Sequence, residues 1–304
     1  MVDEDPLIAV ARRVVSGGQL RRHWILTGGV SASMVALEVQ TPQRQLRRLV
    51  VREQGAADWK PLAHDVMAAE YALHQALRRL AMPVPEVYLF DDSAQLLARP
   101  YLVMEFIEGT TEVDPAARPD AMRQMAAFLA RLHTIELEGT GLPALPLRED
   151  PREGALEYLP ADPRHDRLRT VMQRMTTVDP SSNRRSLVHG DFWPGNVLWR
   201  GGQIAAVIDW EDAAFGDPLS DLAACRVELL CRYDEAAMET FTEHYLALMD
   251  VDATGLPLWE LYVSSAALAT MGDWGLEPGD EANRRRETLG FMERAGRQLL
   301  SMSR

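Results

Sequence analysis

The 304-residue chain has only two cysteines, Cys225 and Cys231, and Lys60 is the one lysine among its 32 basic residues. The cysteines fall close together in one expected helix but well apart in angle around it. That excludes a local disulfide or thiolate metal pair and suits a reducing, cytoplasmic setting. Long apolar runs are missing too, and none approaches the roughly 18 residues of a membrane span. The opening MVDEDPLIAV is acidic, where a secretion signal is basic and then apolar. Positive charge is also short: 32 basic against 45 acidic residues leave a formal net charge of −13, so nucleic acid is a poor partner. The acidic balance suits a cationic small molecule, and equally a plain soluble surface. The scarcity of lysine relative to arginine carries no functional reading.

What is present is a globular composition, 47% hydrophobic and 25% charged, at a length beyond which a single core stops growing, so two lobes are expected. The first hundred residues read as strands plus one helix. WILTGGVSASMVALEVQT is strand, Gly-Gly turn, strand, and LRRLVVREQG is a Val-rich strand ended by Gly55. His64 to Leu80 has helical periodicity, with an apolar stripe of Val66, Ala69, Leu73, Leu77 and Leu80. MPVPEVYLF and PYLVMEFIEGT add strands, the second closed by Gly109. From Pro119 the pattern is helical, residues 139–165 are a Gly- and Pro-rich loop with short elements, and helices run to the end. The expected fold class is α+β, with a small β-rich N-terminal lobe over residues 1–104, a connector at 105–108 and a larger helical lobe over 109–304.

One stretch breaks this pattern. LVHGDFWPGNVLW, residues 187–199, sets ionisable and turn-forming residues between apolar pairs. It leads into NVLWRGGQIAAVIDW, two β-type runs, Val197–Arg200 and Gln203–Ile208, around Gly201-Gly202. Two glycines there signal a hairpin, because its tight turn needs positive φ. The hairpin carries Asn196 and Asp209 to one end of the ribbon, and Asp191 precedes Asn196 by five residues across a Pro-Gly turn. Three oxygen-bearing side chains thus converge. Hard oxygen ligands suit Mg²⁺, which shares its shell with phosphates. A further carboxylate can accept a proton from an attacking hydroxyl. Metal and base together are what phosphoryl transfer requires.

HGDFWPGN, the following IDW and GDPLSDLA resemble the aminoglycoside phosphotransferase family, which has a protein-kinase-like fold. The five-residue Asp-to-Asn spacing also matches the kinase catalytic loop. The resemblance implies a bilobal fold, Asp191 as catalytic base, Asn196 and Asp209 as Mg²⁺ ligands, and ATP or GTP as co-substrate. It implies that Asp221 is a buried brace of the loop and that His189 is structural. On the nucleotide side, Gly28 and Gly29, followed by Ser31 and Ser33, form a turn whose backbone N–H groups can cover phosphates. Arg52 stands where the fold has a phosphate-binding lysine, and its fork can serve the same anion with altered geometry. Glu70 falls within the apolar stripe of its helix, where an unpaired carboxylate is costly, so Arg52 is its expected partner. The carbonyl of Glu105 and the N–H of Ile107 are the expected adenine contacts. His133, beside an apolar stripe, is expected to be a satisfied packing residue.

The function these features predict is ATP-dependent phosphorylation of a hydroxyl on a small molecule. That molecule would be an aminoglycoside, linking the chain to antibiotic resistance, or a metabolite such as choline or another amino alcohol. A catalytically weak nucleotide-binding relative is the alternative that Arg52 keeps open. A protein kinase is disfavoured: seven residues separate Asp209 from Asp217, none of them Ser, Thr or Tyr, and no Ala-Pro-Glu follows. The acceptor is expected against the helical lobe and the 139–165 loop. Glu157, Asp162, Glu211, Asp273, Trp274 and Glu277 are available there, and the sequence singles out none of them. Neither nucleic acid nor membrane is an expected partner, and the oligomeric state is not legible.

Overall fold

The computed structural model describes residues 5–26, 32–55, 66–175 and 183–302. The chain divides into two compact units. The first is Met1–Gly109 with Glu138–Ala144 and Ala205–Glu211, and the second is Thr110–Leu137, Leu145–Ile204 and Asp212–Arg304.

The first unit begins with a helix, α1 (Pro6–Val14), where the sequence reading placed none. Asp5 caps it by accepting the Leu7 N–H at 2.9 Å, and Pro6 supplies a preset φ at the first turn. Strands β1 (Gln19–Ile25), β2 (Ala32–Gln40) and β3 (Leu46–Gln54) follow, then α2 (Val66–Arg79), β4 (Val87–Asp91) and β5 (Tyr101–Glu105). The five strands form an antiparallel sheet in the order β1-β2-β3-β5-β4. Alternation along β3 decides what each face carries. Leu49 and Val51 join Val10 and Ala11 of α1, Leu37, Val39, Tyr101 and Val103 in one buried cluster. Val50 joins Met67 of α2, Val87, Leu102 and Met104 in another. Arg52, two residues beyond Val50, therefore projects on the α2 side. The connector ends its strand pairing at Glu105, earlier than the run to Gly109 suggested.

The second unit carries helices α3 (Arg118–His133), α4 (Pro151–Tyr158) and α5 (Asp166–Met175), and strands β6 (Ser186–Val188) and β7 (Val197–Arg200). Strand β8 (Gln203–Val207) passes into the first unit at Ala205, and the second unit resumes with β9 (Ala214–Gly216), α6 (Leu219–Arg232), α7 (Glu235–Leu248), α8 (Leu256–Thr270) and α9 (Pro278–Met302). Strands β7 and β8 form a two-stranded sheet. Both glycines of its turn have positive φ, +59° at Gly201 and +76° at Gly202. Strand β9, which the sequence reading missed because it is three residues long, pairs antiparallel with β6 through Ser186–Gly216, Leu187–Phe215 and Val188–Ala214. With an antiparallel sheet early in the chain and helices dominating later, the fold is α+β.

Candidate active site

Strand β6 delivers His189, Gly190 and Asp191 at its C-terminal end. The turn there is forced. Gly190 has φ +87°, and a Cβ on it would lie 2.0 Å from the carbonyl oxygen of Asp212. Asp221, in the first turn of α6 and 1% exposed, fixes the loop from behind. Its Oδ2 accepts the His189 N–H at 2.7 Å and its Oδ1 accepts the Gly190 N–H at 2.9 Å. His133 Nε2 lies 3.1 Å from Asp221 Oδ2, and its Nδ1 lies 2.7 Å from the Tyr245 hydroxyl, so His133 is a satisfied packing residue. Burial pushes the Asp221 carboxyl up. The His133 hydrogen bond and charge, then His189, outweigh this and hold it below the usual range. Asp191 N–H donates to Nδ1 of the fully buried His189 at 3.2 Å, which makes that nitrogen an acceptor.

Asp191 itself is solvent-exposed. Its surroundings nonetheless raise its carboxyl above the usual range through desolvation, which the attraction of His189 opposes and the nearby Asp212 reinforces. The Trp193 indole also favours the ionised form. Pro194–Asn196 makes a single tight turn after Trp193. Asn196 is buried and aims its Nδ2 at both the Asp191 carbonyl and Asp191 Oδ2, each at 2.9 Å. Its amide oxygen accepts no hydrogen bond from the described residues.

In the first unit, the chain after β8 is tied down by the Val207 N–H donating to the Pro83 carbonyl at 2.8 Å. The buried Trp210 indole donates to the Val207 carbonyl at 3.1 Å. Asp209 lies between them in the left-handed region, φ +65°, with its side chain 40% exposed. An exposed carboxylate is a hard-oxygen donor of the type that Mg²⁺ takes.

Arg52 is 5% exposed and surrounded by carboxylates. Its Nη1 donates to Glu70 Oε2 at 2.9 Å, its Nη2 bonds Glu211 Oε2, and Asp209 Oδ1 lies 4.0 Å from Nη2. Burial works against the guanidinium charge, but Glu70, then Glu211 and Asp209, more than offset it. Burial raises Glu70, with Arg52 opposing. Sequence reasoning paired Arg52 with Glu70 and missed Glu211.

Of the remaining nucleotide-side positions, Gly28, Gly29 and Ser31 lie outside the described residues. Ser33 is exposed on β2, opposite Glu53. Glu105 closes β5, its N–H donating to the Glu86 carbonyl at 2.8 Å, and Ile107 follows half-buried. Phe106 between them meets Trp24 edge-on, ring centroids 5.9 Å apart, beside Met34, Val50 and Met104.

Trp193 has a second set of neighbours in its own unit that sequence reasoning did not find. The guanidinium carbons of Arg232 and Arg284 each lie 5.9 Å from its ring centroid, and Arg284 lies 5.4 Å from the Trp274 ring. A cavity of about 430 Å³ lined by Arg148, Arg185, Gly216, Asp217 and Trp259 lies instead past Ser186, at the end of β6 away from Asp191.

A sequence profile described as the phosphotransferase enzyme family matches residues 25–257. The mouse protein named acyl-CoA dehydrogenase family member 10 is 27% identical over 255 residues, covering 78% of this chain and 23% of its own length. Homoserine kinase from Methylocella silvestris is 30% identical over 164 residues, 50% of this chain and 49% of that one. The chain therefore spans less than half the length of these curated relatives. Choline kinase LicA from Streptococcus pneumoniae shares the fold at a TM-score of 0.62 and 19% identity, covering 96% of this chain and 98% of that one. Matched over most of its length, the chain belongs to the phosphotransferase enzyme family.

Proposed function

We propose that this chain is a small-molecule kinase that moves the γ-phosphate of ATP, or of GTP, to an alcohol hydroxyl. The observation that carries this reading is the Asp191–Asn196 pair. One side chain orients the other on a loop held by Asp221, and an oxygen is left for a cation. In the proposed reaction Asp191 takes the proton from the acceptor hydroxyl as its oxygen bonds to the γ-phosphorus. The bond from that phosphorus to the β,γ-bridging oxygen breaks, and ADP leaves with the bond's electron pair. Asn196 and Asp209 would hold Mg²⁺, which neutralises charge on the phosphates when bound. Arg52, fixed by Glu70, would face the phosphates. Ser33, with Gly28, Gly29 and Ser31, would cover them, and the backbone of Glu105 and Ile107 would hold the base.

The names of the relatives, a choline kinase and a homoserine kinase, support a small alcohol as acceptor. The test is to incubate the protein with Mg-ATP and a panel of aminoglycosides, amino alcohols, hydroxy acids and sugars, and to follow ADP release. Acceptor-dependent ADP release with phosphate recovered on the alcohol supports the reading. Phosphate appearing only on protein substrates contradicts it.

A further inference from the structure

We propose that the acceptor carries an anionic group, a carboxylate or a phosphate, held by the Arg284 guanidinium. The inference rests on the reading of Asp191 as the base that meets the acceptor hydroxyl. Arg284 lies in an Arg-Arg-Arg run on α9, far in sequence from the catalytic loop. The run is not a uniform solvated face: the Arg284 side chain is 19% exposed and that of Arg286 is 68% exposed. The Arg284 head lies by the Trp193 and Trp274 rings and feels the attraction of Asp191. Its burial disfavours the charged form, so a permanent cation is kept there at a cost.

The chain leaves much of that cation's hydrogen-bonding capacity unused. Among the described residues Arg284 makes one hydrogen bond, from Nη2 to Glu228. Nε and Nη1 donate to nothing and are not sealed from solvent. A second guanidinium, Arg232, lies at the same distance from Trp193. Its Nε is buried without a partner, and its carboxylate contact, Glu112, is 77% exposed. Trp193 is thus next to Asp191 and next to two cations, of which Arg284 has unfilled donors open to solvent. A guanidinium edge matches a carboxylate or phosphate as a two-point fork. An ammonium group brought to that open guanidinium edge meets like charge, since Glu228 is engaged on the Nη2 side. The net charge of −13 acts at long range through screening salt and does not set the sign of this surface. The acceptor class is therefore a hydroxy acid, an amino-hydroxy acid or a hydroxyalkyl phosphate, and not a polyamine.

The experiment is isothermal titration of the full chain with Mg-AMP-PNP present. The probes are a series of short hydroxy acids and glycerol 3-phosphate against choline and an aminoglycoside. The expected result is that an anionic probe binds at least about tenfold more tightly than either cation. Arg284→Gln then weakens the anion by about tenfold or more, Arg284→Lys weakens it less, and AMP-PNP affinity is unchanged. Tighter binding of choline or the aminoglycoside, failure of every anionic probe, or equal weakening of all probes by Arg284→Gln overturns the proposal. The phosphotransferase reading fails separately, by absence of ADP release on every acceptor class.

Discussion

The backbone N–H of His189 donates to Asp221 Oδ2 at 2.7 Å, in the interior of the second unit. With the companion bond from Gly190, it makes the position of Asp191 a property of the core of α6 rather than of a surface loop. Asp221→Ala leaves two N–H groups and His133 without their acceptor, and should cost about 3–5 kcal/mol in urea denaturation. A loss below about 1 kcal/mol contradicts the bracing role.

The same carboxylate sets a pH dependence. Its folded pKa is held below the unfolded value, so its contribution to stability is complete above the unfolded range, at about pH 4. That contribution is lost as pH falls through the lower folded pKa. Stability of the parent should therefore fall on the acid side more steeply than that of Asp221→Asn. Parallel acid limbs in the two proteins contradict it.

Gly190 and Gly201 both have positive φ, but only Gly190 is crowded. Gly201→Ala, with nothing within 4 Å of the new methyl, meets backbone strain alone and should cost about 1 kcal/mol. Gly190→Ala adds a clash with the Asp212 backbone and should cost well over about 2 kcal/mol, with loss of turnover. Comparable melting temperatures for the two variants count against the close approach at Gly190.

Arg52 and its carboxylates should behave as one unit. Arg52→Ala exposes Glu70 and Glu211 to each other without their cation and should destabilise by about 3–5 kcal/mol. A double-mutant cycle with Glu70→Ala should show coupling of about 1 kcal/mol or more. Additive effects contradict the buried pair.

The sequence made the sheet, the hairpin around Gly201-Gly202 and the Asp191–Asn196 spacing legible, because each rests on local periodicity or a turn that only glycine tolerates. The Arg52–Glu70 pair was legible as well: an acid in an apolar stripe demands a partner, and the fold offers one. Helix α1 was passed over although Asp5-Pro6 and the spacing of Leu7, Val10, Ala11 and Val14 signal it. Strand β9 is too short to show periodicity. Arg284 could not be found at all. Nothing along its helix distinguishes it from Arg286, and only packing against Trp193 and Trp274 gives it a different environment.

The metal assignment is tested by nucleotide binding. Asp209→Asn should keep the left-handed backbone, which asparagine tolerates, while removing a charged ligand. AMP-PNP affinity should then lose most of its magnesium dependence, and Asn196→Ala should show a milder form of the same loss. An unchanged magnesium dependence in both variants contradicts these ligands.

The central claim is that Asp191 is the base of a phosphoryl transfer to an alcohol. Its most direct test is turnover of the best acceptor by the parent and by Asp191→Ala, with Mg-AMP-PNP affinity measured on both. The account predicts a fall in kcat of about 10²–10⁴-fold with nucleotide affinity nearly unchanged. Near-normal turnover by Asp191→Ala contradicts it.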